Sequence, residues 1–269
     1  MFLWMLVVAL VFSAIGFKKY IWFISIGYGS SIAAIGAALL IVFHNTLTVG
    51  TALACVLFII YGCRLGGYLA YREFGIKSYN EKMKTEIKDG KGMPFVAKCG
   101  IWVSSALLYA LETCPVLFRL ENGAGSDSLL WIGICISICG LILESAADLQ
   151  KNAAKKVNAK RFVDTGLFRL VRCPNYFGEM VFWTGVFVGG LNILSGVWQW
   201  IAAVLGYIWI IYVMFSGARR LELRQQRTYG ENNEDKKCQA EYLEYVKKTP
   251  ILLPFIPLYS VAKYKWLVA

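Results

Sequence analysis

A chain of 269 residues that is 58% hydrophobic and 17% charged, with a mean hydropathy of +0.54, is too apolar for an ordinary water-soluble domain, where charged residues make up about 25%. The formal charge of +11 raises nucleic acid as a partner, because a basic surface is the footprint of phosphate binding. The cations are divided among loops between apolar runs and no recognition fold is visible, so the composition points to a membrane protein with no nucleic acid partner.

Seven apolar runs approach the roughly 20 residues that a helix needs to cross a bilayer. They lie near 2–17, 20–43, 46–63, 100–118, 128–147, 176–194 and 196–216. The expectation is an all-α, polytopic membrane protein with about seven transmembrane helices, forming a single membrane domain over 1–269. Loops 64–98 and 148–175 and the tail 217–269 carry most of its charge. If the odd-to-even connections face the cytosol, only Arg119 of the 28 Lys and Arg falls on the other side. Cytosolic loops hold the excess of positive residues, so the N-terminus is expected outside or in a lumen and the C-terminus in the cytosol.

The first run has no charge ahead of it and ends at Lys18 and Lys19, the reverse of a cleavable signal peptide. It is read as a retained helix. His44 stands in a turn after the second run and, as the sole histidine, builds no zinc or di-iron site. On the third run Tyr61 and Arg64 are three apart near the cytosolic end. Such a pair is an interface anchor or, if the phenol points inward, a donor to a carbonyl oxygen that gains charge during reaction.

In the fifth run Glu144 and Asp148 share a helix face that Lys151 and Lys155 continue. Glu144 is either half of a structural ion pair or the polar floor of a ligand site. From Lys151 to Arg172, seven cations fall within 22 residues: Lys151, Lys155, Lys156, Lys160, Arg161, Arg169 and Arg172. They suit a phosphate-rich cofactor or anionic lipid headgroups. Pro174 then opens a helix on which Asn175 and Glu179 are one turn apart. A helix N-terminus favours anions and acceptors, and an amide beside a carboxylate can hold a carboxamide in one orientation.

The tail opens with Arg219 and Arg220 and continues through the solvated charge run Glu231–Lys237. It ends in Ile251–Pro257, whose two prolines break a helix and whose length is too short to span. That segment is expected to be interfacial or re-entrant, with Trp266 as an interface anchor. The eight cysteines contain no C-x-x-C pair, so neither a metal site nor a disulfide framework is expected.

The stretches Glu144-Ser-Ala-Ala-Asp148-Leu-Gln150, Arg161-Phe-Val-Asp-Thr-Gly166-Leu-Phe168 and Cys173-Pro-Asn175-Tyr-Phe-Gly-Glu179, in this order, resemble the steroid 5-alpha-reductase family and its steroid-reductase-like membrane relatives. The resemblance covers 140–258 most closely and 50–72 more loosely. It implies a seven-helix fold that holds NADPH and reduces a carbon-carbon double bond conjugated to a ketone in a steroid or other lipid. Glu144, Asp148, Lys155, Arg161 and Asn175 match dinucleotide-binding positions, and Glu179 matches the glutamate beside the nicotinamide. Arg64, Arg220 and Arg224 fall near positions that hold the phosphates and adenine end, and Arg172 joins them from the basic cluster. Tyr61 matches the tyrosine that meets the substrate ketone.

Two positions depart from the pattern. Cys173 stands where the membrane relatives usually have His. No Asp or Glu precedes Glu73, whereas the steroid enzymes place a carboxylate on an early helix behind the ketone-binding tyrosine.

The other functions considered are an S-adenosylmethionine-dependent methyltransferase of the isoprenylcysteine carboxyl methyltransferase type and a non-catalytic lipid-binding membrane protein. The methyltransferases share an Arg-x-Pro-x-Tyr-x-Gly-like turn, but Glu179 directly after Gly178, with Glu144, Asp148 and Arg161, favours the reductase. The missing early carboxylate favours the non-catalytic alternative. A monomer in the endoplasmic reticulum, or in the inner membrane of a bacterium, is expected.

Overall fold

The computed structural model describes residues 1–75, 92–231 and 234–267, and the regular structure among them is entirely helical. The α-helices are α1 (Phe2–Ser13), α2 (Ile26–Val42), α3 (Val49–Gly75), α4 (Phe95–Glu121), α5 (Ser128–Val157), α6 (Pro174–Val188), α7 (Gly196–Gln225) and α8 (Lys236–Lys248). Five helical segments among the described residues are long and apolar enough to cross a membrane: Tyr20–Val42, Val49–Gly75, Phe95–Glu121, Ser128–Val157 and Gly196–Glu231. The chain is a membrane protein on this ground. α1 and α6 are apolar but have only 12 and 15 residues.

Several helices run past the apolar stretches that seed them. Residues 64–75 and 95–98 of the expected first loop, 148–157 of the second and 217–225 of the tail are helical. Once a helix is nucleated, each further residue adds a hydrogen bond at little cost, and these extensions are rich in Leu, Arg, Lys, Glu and Gln, which favour helix. Most of the remaining 64–98 loop, residues 76–91, lies outside the described residues, as do Asn232 and Asn233 of the charge run.

The chain forms two compact units, 1–135 with 185–207 and 136–184 with 208–269. In the first unit, α2 and α3 touch backbone to backbone. A Cβ at Gly62 would lie 2.2 Å from the Gly29 carbonyl oxygen, one at Gly29 would lie 2.5 Å from Gly66 N, and one at Gly36 would lie 2.6 Å from the Cys55 carbonyl oxygen. Helices in lipid gain little from burying apolar surface against each other, so close packing through small residues does that work. Tyr28 and Tyr61 each directly precede one of these glycines. Trp102 Nε1 donates to the Leu10 carbonyl at 2.9 Å, and Ser31 Oγ donates to that of Ala9 at 3.2 Å, which ties α1 to α4 and α2.

Arg119, the one cation expected outside the cytosol, is 1% exposed and gives hydrogen bonds from each guanidinium nitrogen. Nε and Nη2 meet the Gly189 carbonyl at 3.0 and 2.8 Å, Nη2 meets Asn192 Oδ1 at 2.9 Å, and Nη1 meets Gly125 O at 2.7 Å and Asp127 Oδ2 at 2.8 Å. Asp127 also caps α5 by accepting from Leu130 N at 2.8 Å. Burial pushes its pKa up, but the hydrogen bonds from Arg119, Leu130 and Asn192 outweigh that and hold it at about 2. A depressed carboxylate pKa stabilises the fold above the ordinary carboxylate range, and the contribution is lost only as pH falls through about 2.

In the second unit, glycine again brings helices into contact. A Cβ at Gly140 of α5 would lie 2.3 Å from Phe182 N of α6, and one at Gly178 of α6 would lie 2.6 Å from Glu144 N of α5. Ser137 Oγ donates to the Phe182 carbonyl at 2.9 Å. Asp235 caps α8 by accepting from Lys237 N and Cys238 N, both at 3.1 Å. α8 buries Cys238 and Tyr242 on Phe162, with Tyr229 and Tyr245 packed around them. The tail after α8 pairs with the segment ahead of α6, Arg172 N donating to Pro250 O at 2.9 Å and Cys173 N to Ile251 O at 3.0 Å. Ile251 and Leu252 are buried, whereas Phe255 is fully exposed in the left-handed region at φ 69°.

Gly62→Ala is expected to lower stability by about 1–3 kcal/mol through forced separation of α2 and α3. Gly67→Ala, where an added Cβ meets nothing within 4 Å, is expected to be neutral or slightly stabilising, since Ala is the better helix former; thermal melts in detergent compare the two. Arg119→Met is expected to cost about 2–3 kcal/mol by stranding the acceptors that it serves. Acidifying the wild type from pH 7 to pH 4 should leave the Arg119–Asp127 clamp in place, measurable by the same melts.

Candidate functional site

Most of the residues singled out from the sequence belong to the second unit. Glu144, 3% exposed, and Glu179, 6% exposed, are buried on α5 and α6. The contact of Gly178 with Glu144 N, Cα and Cβ sets the Glu144 backbone against the residue just before Glu179. Asn175 stands one turn earlier on α6 and is half-buried, as is Asp148 one turn after Glu144 on α5.

Tyr176, which the sequence reading passed over, links α6 to α7. Its ring lies against Gly217, where an added Cβ would be 3.2 Å from Cε2 and 3.6 Å from the hydroxyl. Glu179, Arg220 and Arg224 are all close enough to act on the Tyr176 hydroxyl electrostatically. Gly217, Arg220 and Arg224 fall at spacings of three and four, so they share one face of α7. Both arginines are exposed.

Arg172 does two things. Its side chain is 1% exposed, and Nη2 donates to Glu222 Oε1 at 3.0 Å and to the Tyr259 carbonyl. Glu222 Oε2 in turn accepts from Val261 N at 2.9 Å, so the pair latches the tail. Nε and Nη1 of Arg172 are buried, and the Tyr242 hydroxyl lies close enough to accept from the guanidinium. In the sequence Glu222 stands between Leu221 and Leu223. That apolar setting was the available sign that it is buried and paired.

Lys155 and Arg161 are engaged locally. Lys155 Nζ donates to the Tyr229 hydroxyl at 2.7 Å and to the carbonyls of Ala159 and Arg161. Arg161 pairs with Asp164 at 2.8 Å and with Glu241, and its guanidinium lies 4.8 Å from the Phe162 ring centroid. Glu241 foremost, then Asp164, raises the pKa of Arg161 against the effect of burial. Asp164 stands three residues on in the same stretch, whereas Glu241 was not legible beforehand, since it reaches Arg161 only once α8 has packed on Phe162. Burial also drives the Cys173 thiol up to about 12, so at neutral pH this residue is a neutral apolar filler.

In the first unit Tyr61 is 0% exposed, and its hydroxyl donates to that of Tyr28 at 3.1 Å. An interface anchor would sit at the surface, so its phenol is an inward-facing group. Arg64 is half-buried, with its guanidinium 5.9 Å from the Tyr68 ring centroid; Arg72 approaches the same ring at 5.8 Å. Glu112, 4% exposed in the middle of α4, is a further buried carboxylate. An acidic residue inside the 100–118 apolar run was a signal that the sequence reading did not use.

Comparison with known proteins finds no matching curated protein and no matching solved structure. One family model matches, over residues 11–249: DUF1295, described as a protein of unknown function. With that much of its length matched, the chain belongs to the DUF1295 family.

Proposed function

We propose that this protein is an NADPH-dependent membrane reductase of a carbon-carbon double bond conjugated to a carbonyl, acting on a steroid or another lipid drawn from the bilayer. The observation that carries the proposal is the burial of Glu144 and Glu179 on two apolar helices packed together at Gly178. Carboxylates are costly to keep inside a membrane protein and mark working sites there. The resemblance of residues 140–258 to the steroid 5-alpha-reductase family supports the same reading. The fold proposed for it has seven spans, with α1 and α6 as the short ones, the N-terminus outside or lumenal and the C-terminus cytosolic.

The donor set of the second unit fits a dinucleotide. Arg172 is a buried cation directly ahead of α6, and a guanidinium suits a phosphate oxygen. Arg220 and Arg224 on one face of α7, with Lys155 and Arg161 on the loop side, add charge for the phosphates and the adenine end. Asn175 offers a donor and an acceptor and Glu179 an acceptor, which together fix the orientation of a carboxamide. Glu144 and Asp148 accept hydrogen bonds from ribose hydroxyls in this scheme. NADPH, when bound, supplies the hydride. By the same resemblance Tyr61 serves the carbonyl: its hydroxyl donates to the oxygen as negative charge develops there, an effect commonly worth a few kcal/mol. A proton then adds at the alpha carbon.

Purified protein is expected to bind NADPH and not S-adenosylmethionine by calorimetry. Arg161→Ala should weaken NADPH binding about tenfold to a hundredfold through loss of one charge-assisted contact. Glu179→Gln should keep most of the affinity and lose turnover. Binding of S-adenosylmethionine alone would move the site to methyl transfer, and binding of neither would leave a lipid-binding protein.

A further inference from the structure

The geometry points to Tyr28 as a positioning residue that holds and polarises the Tyr61 phenol; this inference rests on the reductase reading of Tyr61 given above. The two hydroxyls are 3.1 Å apart in the buried core of the first unit, and the residues are 7% and 0% exposed. Their rings meet edge to face with centroids 6.0 Å apart.

Tyr28 is itself fixed. Its ring stacks on that of Tyr109 with centroids 4.8 Å apart and planes 23° from parallel. Tyr109, 2% exposed, is pinned in turn by its hydroxyl, which donates to the Phe23 carbonyl at 2.8 Å. The backbone contact of Gly29 with Gly62, each the next residue in its chain, sets how far apart α2 and α3 hold the two phenols. An added Cβ on either side would part the hydroxyls.

This arrangement places a second hydroxyl directly behind that of Tyr61. A hydroxyl proton can rotate to suit its partners. When a carbonyl oxygen approaches Tyr61, Tyr61 turns its O–H to that oxygen and Tyr28 turns its own O–H to Tyr61 Oη. Hydrogen bonds in such a chain strengthen one another. As a hydride adds to the beta carbon, the double-bond electrons move toward the carbonyl oxygen, and the charge is shared along Tyr61 and Tyr28. A neutral phenol in this place adds no net charge to the membrane interior, where an ionised carboxylate carries a large desolvation penalty.

The test uses full-length protein in lipid nanodiscs with NADPH and a conjugated-ketone probe, a 4-en-3-one sterol, with a straight-chain enone as the alternative probe. Loss of enone absorbance is followed. Tyr28→Phe keeps the ring on Tyr109 and removes only the hydroxyl; it is expected to lower kcat about tenfold to a hundredfold. KM for the probe and Kd for NADPH should stay within about twofold, since the lost interaction strengthens only in the transition state. Tyr28→His, a ring that still carries an N–H donor, should recover part of kcat. Melting temperatures confirm that each variant is folded, and Tyr28→Leu, which also removes the stacked ring, marks the effect of packing alone.

An unchanged kcat in Tyr28→Phe beside an active wild type overturns the role of Tyr28 and leaves the reductase reading intact. A fall in kcat matched by the rise in KM and loss of melting temperature seen in Tyr28→Leu reduces Tyr28 to packing and likewise overturns its role. A wild type that binds NADPH but reduces neither probe overturns the carbonyl role of Tyr61, and that of Tyr28 with it. A wild type with no NADPH affinity overturns the reductase reading itself.

Discussion

Backbone contact between helices, made possible by glycine, is the constraint on which both sets of functional groups depend. In the first unit Gly29 and Gly62 let α2 and α3 approach until the phenols of Tyr28 and Tyr61 share a hydrogen bond. In the second, Gly140 and Gly178 bring α5 and α6 together so that Glu144 lies beside the residue preceding Glu179. Each polar group thus sits next to a contact that cannot relax without moving backbone. Van der Waals packing of this kind is what holds helices together where apolar burial contributes little, and here it also fixes these polar groups in place.

Charge is handled in two ways. Arg119 and the Arg172–Glu222 pair are buried charges with structural work, the first closing the turns around Asp127 and Gly189, the second latching the tail to the segment ahead of α6. Removing either partner of such a pair strands the other, which is why buried pairs are sensitive to mutation. Other charges stay near the surface in local pairs, as Arg161 does with Asp164 and Glu241.

The apolar runs made the membrane class and the helical content legible in the sequence; Glu144 and Glu179 stood out because a carboxylate inside an apolar run is conspicuous, and Asn175 because it stands one turn before Glu179. The runs misplaced the helix ends, because the Lys, Arg and Glu that close a span also continue a helix well, as in α3 to Gly75 and α7 to Gln225. Partners distant in sequence were not legible. Nothing local marks Tyr28 as the partner of Tyr61, 33 residues on, or Glu241 as that of Arg161, 80 residues earlier. Those pairings exist only after the glycine contacts and the docking of α8 have brought the segments together. Glu112 was legible by the same rule that singled out Glu144, and stands buried in α4.

The central claim is that a hydride passes from a nicotinamide to a lipid. Incubating nanodisc-embedded protein and a cellular lipid extract with NADPH deuterated at the transferable C4 position, then searching the lipids by mass spectrometry, tests it directly. The account predicts deuterium on the beta carbon of a newly saturated ketone lipid, lost in Glu179→Gln. Deuterium in no lipid, with label appearing instead from methyl-labelled S-adenosylmethionine or from neither source, would contradict it.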